Sequence, residues 1–240
     1  MKKNLYLIGK SGLVSKYLKK NFKFKKIFSI KDIKKNHLKN ILPHDTIVLL
    51  SNPGGLNFCQ NNKSEVKKFL NSIDILFNEL KKETRIIFMS SDAVYNKKLE
   101  YGKMKLSIEK KISRKFKRSH VLRVCKIFSK NLNDKSEYTK IYNCLKKKKI
   151  VNVFTDQFCH YIEIKNLMKI FKKIINNKKN VKYGKTNIFD EKLYFSRYGF
   201  AKKIANKFLL EEKYLKTDKI SSSNLPLSKR TFLKNSLKFF

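Results

Sequence analysis

With 240 residues, 41% of them hydrophobic, the chain has enough apolar material for one α/β domain or such a domain plus a small lobe. No apolar run approaches the ~20 residues of a membrane helix, and the N-terminal stretch Leu5–Ile8 is too short for a signal peptide. The formal charge of +40 invites a nucleic-acid reading, but only six of the 58 basic residues are Arg (Arg85, Arg114, Arg118, Arg123, Arg197 and Arg230) and the Lys are spread along the chain.

Readers of bases and phosphates favour the planar fork of Arg. The charge therefore reads as solvated surface, with no specific nucleic-acid partner expected; a Lys-rich nucleic-acid-binding protein is the rival from another class. Cys59, Cys125, Cys144 and Cys159 form no C-x-x-C pair, and His37, His44, His120 and His160 are scattered, so neither a metal site nor a disulfide framework is expected. A cytoplasmic location fits this cysteine usage.

Strand and helix signals alternate from the start. Residues 4–8 read as a buried strand, 13–21 as a helix, 26–30 and 46–50 as strands, and 64–80 as a helix with Val66, Phe69, Leu70, Ile73 and Phe77 on one face. A strand follows at 85–90, a helix at 101–116 and a strand at 121–124. Continuous apolar strands between helices predict a Rossmann-like, doubly wound parallel sheet. Beyond residue 150 the pattern loosens: strands are expected at 150–154 and 187–189, and helices at 164–175 and 197–210. The expected organisation is a dinucleotide-binding domain over 1–150 and a smaller substrate-binding part over 151–240 packed on it.

The first strand runs directly into Gly9-Lys10-Ser11-Gly12-Leu13-Val14-Ser15. Glycine at the first place permits a tight turn and at the second lets backbone approach a pyrophosphate, which the following helix N-terminus can bind. Ser15 stands where a third glycine normally allows close helix–strand packing. Asp32, about 20 residues on, suits a ribose 2′-hydroxyl, yet Lys31, Lys34 and Lys35 around it suit a 2′-phosphate, so NAD and NADP both stay open. Asp32 is equally well placed to cap the following turn.

Five segments in order resemble the extended short-chain dehydrogenase/reductases, and within them the dTDP-4-dehydrorhamnose reductase and sugar epimerase group: NLYLIGKSGLVSKYL, TIVLLSNPGG, IIFMSSDAVY, YGKMKLSIEK and VLRVCKIFS. FTDQF and YGKTNIF resemble the family's C-terminal half more faintly. Coverage is most of residues 1–130 and patchy beyond. The pair Tyr-x-x-x-Lys alone says little, because it begins at Tyr6, Tyr101, Tyr142, Tyr161 and Tyr198. Only Tyr101 follows a Ser-Ser-Asp strand end and opens a helix.

The resemblance implies catalytic roles for Ser91, Tyr101 and Lys105. It implies cofactor contacts from Gly9, Ser11, Gly12, Leu13, Val14, Asp32, Ser51, Asn52, Pro53, Ser90, Tyr101 and Lys105. The implied function is NAD(P)-dependent reduction or epimerisation of a nucleotide-activated keto-sugar. Tyr101 and Lys105, four apart on a helix, share a face, and a nearby ammonium is expected to lower the phenol's pKa toward neutral. Two departures touch the substrate side. Only residues 96–100 separate Tyr95 from Tyr101, where the family has a longer loop, and Cys159, His160, Tyr161 and Ile162 replace the family's Gly-x-Pro-Thr. A catalytically degenerate dinucleotide-binding protein of the same fold is the alternative these departures raise.

Overall fold

The structure, a computed structural model, describes residues 3–33, 38–176, 181–223 and 226–228. Lys34, Lys35 and His37 lie outside the described residues, as does the side chain of Asp32. Packing divides the chain into two compact units, Met1–Arg123 with Met168–Thr186, and Val124–Leu167 with Asn187–Phe240. The expected division was a Rossmann-like domain over 1–150 and a smaller part over 151–240.

The first unit is built on short, apolar strands: β1 (Leu5–Ile8), β2 (Lys26–Phe28), β3 (Thr46–Leu49), β4 (Arg85–Ser91) and β5 (Ser119–Val124). The sheet order is β2-β1-β3-β4-β5, extended by β9 (Gly184–Ile188). β1 pairs in parallel with β2 and with β3, and β3 in parallel with β4. Ile47, Val48, Leu49, Ile86, Ile87 and Phe88 are all fully buried, as strands covered on both faces require. Helices α1 (Leu13–Asn21), α2 (Leu56–Asn61), α3 (Lys63–Glu79) and α4 (Glu100–Lys115) connect them. α3 turns Val66, Phe69, Ile73, Leu76 and Phe77 into the core, and α4 contributes Met104, Ile108 and Ile112 to the same cluster. Arg85 in β4 donates to the carbonyls of Ile174 and Ile175, the last residues of α6 (Ile164–Ile175).

The second unit has a different grain. β6 (Lys126–Phe128), β8 (Phe158–Glu163) and β10 (Asp190–Ser196) form a sheet in the order β10-β8-β6, antiparallel between β10 and β8. β7 (Val151–Phe154) pairs in parallel with β11 (Leu215–Asp218). Helices α5 (Glu137–Lys146) and α7 (Arg197–Lys207) complete it. Its core is aromatic: Tyr161 stacks on Phe200 at 4.0 Å, and Phe128 packs against Tyr138 and Phe200. Helices α1 and α6 match the expected spans, whereas α7 stops three residues short of the expected 210. β6, β8, β10, β11, α2 and α5 were not expected. Short strands such as these acquire their identity from the neighbour they pair with rather than from periodicity.

Candidate active site

The order β2-β1-β3 reverses direction at β1, so the carboxyl ends of β1 and β3 flank a topological switch point. The glycine loop leaves β1 there, Ser51–Gly55 leaves β3, and Ser91 ends β4. Three of the segments singled out in the sequence thus converge at one edge of one sheet.

In the loop, Gly9 has φ of 115° and Gly12 of 101°, a region L side chains rarely adopt. The Gly9 N–H donates to the Phe28 carbonyl at 2.8 Å, which ties the loop to β2. A Cβ on Gly9 would lie 3.0 Å from the Ser51 nitrogen, so β3's extension packs directly on the turn. A Cβ on Gly12 would meet nothing within 4 Å. α1 begins beside that open space with no side-chain cap and no acidic residue in its first turn. Its first N–H groups and the positive end of its dipole therefore suit an anion. Ser15 is buried and its hydroxyl donates to the Gly9 carbonyl, so the serine's extra polar atom is satisfied within the turn it packs against.

Ser11 is exposed on the loop and Leu13 and Val14 open α1. Asn52 is exposed and its amide donates to the Gly54 carbonyl at 3.0 Å, with Pro53 beside it half-buried. Asp32 closes a single 3₁₀ turn, Ile30–Asp32, directly after β2.

The second half of the site is made by side chains. α4 sits so close to the turn Asp92–Tyr95 that a Cβ on Gly102 would fall 2.2 Å from the Ala93 carbonyl oxygen. Glycine there lets the helix bring Tyr101 and Lys105 against the end of β4. Lys105 is 1% exposed, donates to the Met89 carbonyl at 3.1 Å, and lies over the rings of Phe88 (4.9 Å) and Tyr101 (5.6 Å). Burial depresses its pKa to about 8, against the opposing influence of Cys59 and Glu109. Tyr101 moves the other way from the expected lowering. Burial first, then Cys59 and Asp92, raises its phenol above the ordinary value, because the ammonium faces the ring while the hydroxyl loses its water.

Ser91 caps the Asp92–Tyr95 turn: its hydroxyl accepts from the Ala93 N–H at 3.2 Å and donates to Asp92 at 3.0 Å. Ser90 points elsewhere, its buried hydroxyl donating to Glu109 at 2.6 Å. Glu109 is fully buried and receives a two-pronged pair from Arg123, whose other nitrogen donates to the Tyr95 hydroxyl at 2.8 Å. This Glu109–Arg123–Tyr95 chain and the buried Cys59 have no counterpart in the expected site. Glu109 follows Lys105 by four residues, as Lys105 follows Tyr101, so one helix stripe carries all three; that spacing was the available signal.

Among the described residues no group of three His, Cys, Asp or Glu side chains is placed to hold a metal ion, and no helix is long and apolar enough to cross a membrane. Residues 72–231 match the family model described as the RmlD substrate binding domain. No curated protein matches the chain by sequence. The fold is similar to that of a dTDP-4-dehydrorhamnose reductase from Bacillus anthracis in complex with NADP, with a TM-score of 0.81, 14% identity, and coverage of 98% of this chain and 92% of that one. It is also similar to MoeE5 in complex with UDP-glucose and NAD (TM-score 0.69, 12% identity, 90% and 85% covered). A UDP-glucose 4-epimerase from Thermotoga maritima with UDP-glucose gives a TM-score of 0.71 at 11% identity, with 92% and 87% covered. These likenesses establish a Rossmann-like α/β fold with a mostly parallel sheet.

Proposed function

The chain belongs to the RmlD substrate binding domain family, and from that premise we propose that it is an NAD(P)-dependent reductase or epimerase of a nucleotide-activated keto-sugar. The observation that carries the reading is the open approach at Gly12, beside an uncapped helix N-terminus and on the same sheet edge as Tyr101 and the buried Lys105. The donor set fits a dinucleotide. Gly9, Ser11, Gly12, Leu13 and Val14 would hold the pyrophosphate by backbone N–H groups. Asp32, Ser51, Asn52, Pro53 and Ser90 would flank the rest, Ser90 through its backbone because its hydroxyl is committed to Glu109. The nicotinamide supplies, or takes, a hydride at the sugar carbon.

The chain's own residues supply the proton and the orientation. Tyr101 gives its phenolic proton to the carbonyl oxygen in reduction and takes it back in the reverse direction. The Lys105 cation over the ring face offsets the charge left on the phenolate. Ser91 orients the same oxygen when its hydroxyl turns from Asp92 to the substrate.

Calorimetric titration with NADH and NADPH, followed by a turnover screen over keto-sugar nucleotides, tests the reading. Micromolar binding of one cofactor with turnover of at least one substrate supports it. Absence of any dinucleotide binding by the folded protein overturns it. Binding without turnover would select the second reading, a dinucleotide-binding protein of this fold that has lost its reaction. The raised Tyr101 phenol and the five-residue segment between Tyr95 and Tyr101 favour that second reading.

A further inference from the structure

Helices α5 and α7 of the second unit end alike. The Lys149 N–H donates to the Cys144 carbonyl (2.8 Å) and the Lys148 N–H to that of Leu145 (2.9 Å). The Leu210 N–H donates to the Ala205 carbonyl (2.9 Å) and the Leu209 N–H to that of Asn206 (3.3 Å). Both ends are Schellman motifs, and their left-handed positions hold Lys148 and Leu209, each with φ of 52°. Glycine is the residue this position favours, because a Cβ there crowds the backbone. Among the described residues these are the two non-glycine residues at positive φ.

Leu209 is disfavoured twice, since it is also 94% exposed. Ile150, two residues beyond Lys148, is 65% exposed, and no other large hydrophobic residue described is as exposed as these two. The two caps are neighbours: Lys148 reaches Glu211 at 3.8 Å, the Tyr142 and Phe208 rings lie 4.6 Å apart, and Leu215 pairs with Val151. Close to the two aliphatic residues along the chain are the exposed Lys146, Lys147, Lys149 and Lys207, at or just past helix C-termini where the dipole favours cations. The local acids are engaged, Glu211 with Lys213 and Lys148 and Glu212 with Lys202.

We propose that this edge docks on an anionic phospholipid bilayer, with Leu209 and Ile150 entering the headgroup layer and the lysines facing lipid phosphates. Charge complementarity selects the partner. A second copy of the chain would set lysine against lysine. Nucleic acid is disfavoured because this edge has no Arg fork and its protruding groups are aliphatic, unable to stack on bases. Exposed aliphatic residues flanked by Lys are what an interfacial anchor requires. The proposal is independent of the catalytic reading.

The test is co-sedimentation of the full chain, at physiological salt, with vesicles of phosphatidylcholine alone or mixed with phosphatidylglycerol. The mixed vesicles are expected to pellet the protein. Leu209→Ser with Ile150→Ser should weaken this about tenfold or more, whereas Leu42→Ser, which removes an exposed leucine from the first unit, should not. Leu209→Gly separates folding from docking: relief of the left-handed strain should hold or raise the thermal midpoint while vesicle binding falls. Unchanged vesicle binding in both Leu209 variants would overturn the proposal. So would equal weakening of duplex-DNA binding, or a dimer that the double variant converts to monomer.

Discussion

Tyr101–Lys105 on α4 and Tyr142–Lys146 on α5 are the same pair at the same helical spacing, one in each unit. Their local geometry is almost identical, with the ammonium 5.6 Å from the ring centre in one and 5.8 Å in the other. Their surroundings are opposite. Lys105 is walled in by Phe88, the Met89 carbonyl and Cys59, and its pKa falls to about 8; Lys146 stands in solvent. The same cation–π contact thus forms in two opposite surroundings. Desolvation makes one of the two pairs chemically unusual, and desolvation is a property of what packs above the helix.

The largest expected effect lies in turnover. Given an active enzyme, Tyr101→Phe should cost on the order of 10²–10⁴ in kcat while cofactor affinity holds; Tyr142→Phe should leave kcat unchanged. Equal kcat in the two variants, measured on one substrate, would erase the distinction between the pairs.

A second contrast is in stability against pH. Lys105 has a folded pKa depressed to about 8 from 10.5, so between those values the unfolded chain binds more protons than the folded one. Stability linked to this group therefore rises as pH climbs through that window, by a limiting amount on the order of 3 kcal/mol. Denaturant titrations from pH 7.5 to 10.5 should show the rise in the wild type and its loss in Lys105→Met, with Lys146→Met retaining the wild-type slope.

Gly102→Ala tests the packing that creates the difference. Its Cβ would collide with the Ala93 carbonyl, and the protein should lose about 1–3 kcal/mol of stability. Part of the Lys105 pH dependence should go with it as α4 lifts and water enters. The smallest effect is expected at the other half of the site. Gly12→Val meets no protein atom, so it should cost mainly left-handed strain while weakening NAD(P) binding roughly tenfold or more by filling the approach to the loop. Calorimetry showing undiminished binding would reduce the glycine loop to a turn.

Legibility followed the same division. Strands β1, β3 and β4 each carry a run of buried apolar residues, and α3 repeats its apolar residues at helical spacing, so the parallel sheet could be read along the chain. The glycine loop was legible because a tight turn after a strand admits few residues. β8 and β10 were not legible: FCHYIE and DEKLYFS carry no clear alternation, and their partners lie about 30 residues apart along the chain. Ser90 shows the corresponding limit at the site. The family resemblance implied a cofactor contact for it, but its hydroxyl serves Glu109, a residue 19 positions away that only helix docking brings near.

By itself, the sequence determined the alternation of strand and helix, the anion-ready turn at Gly9–Gly12 and the stripe of Tyr101, Lys105 and Glu109. These depend on interactions within about one helical turn or one strand–turn–helix step. Tertiary structure alone decided which Tyr–Lys pair loses its water, that burial raises the Tyr101 phenol, that Arg123 closes over Glu109, and that Leu209 and Ile150 end up in solvent. Each of those outcomes turns on desolvation, which is set by whatever distant segment packs against a residue and has no signature in the residue's own neighbours along the chain.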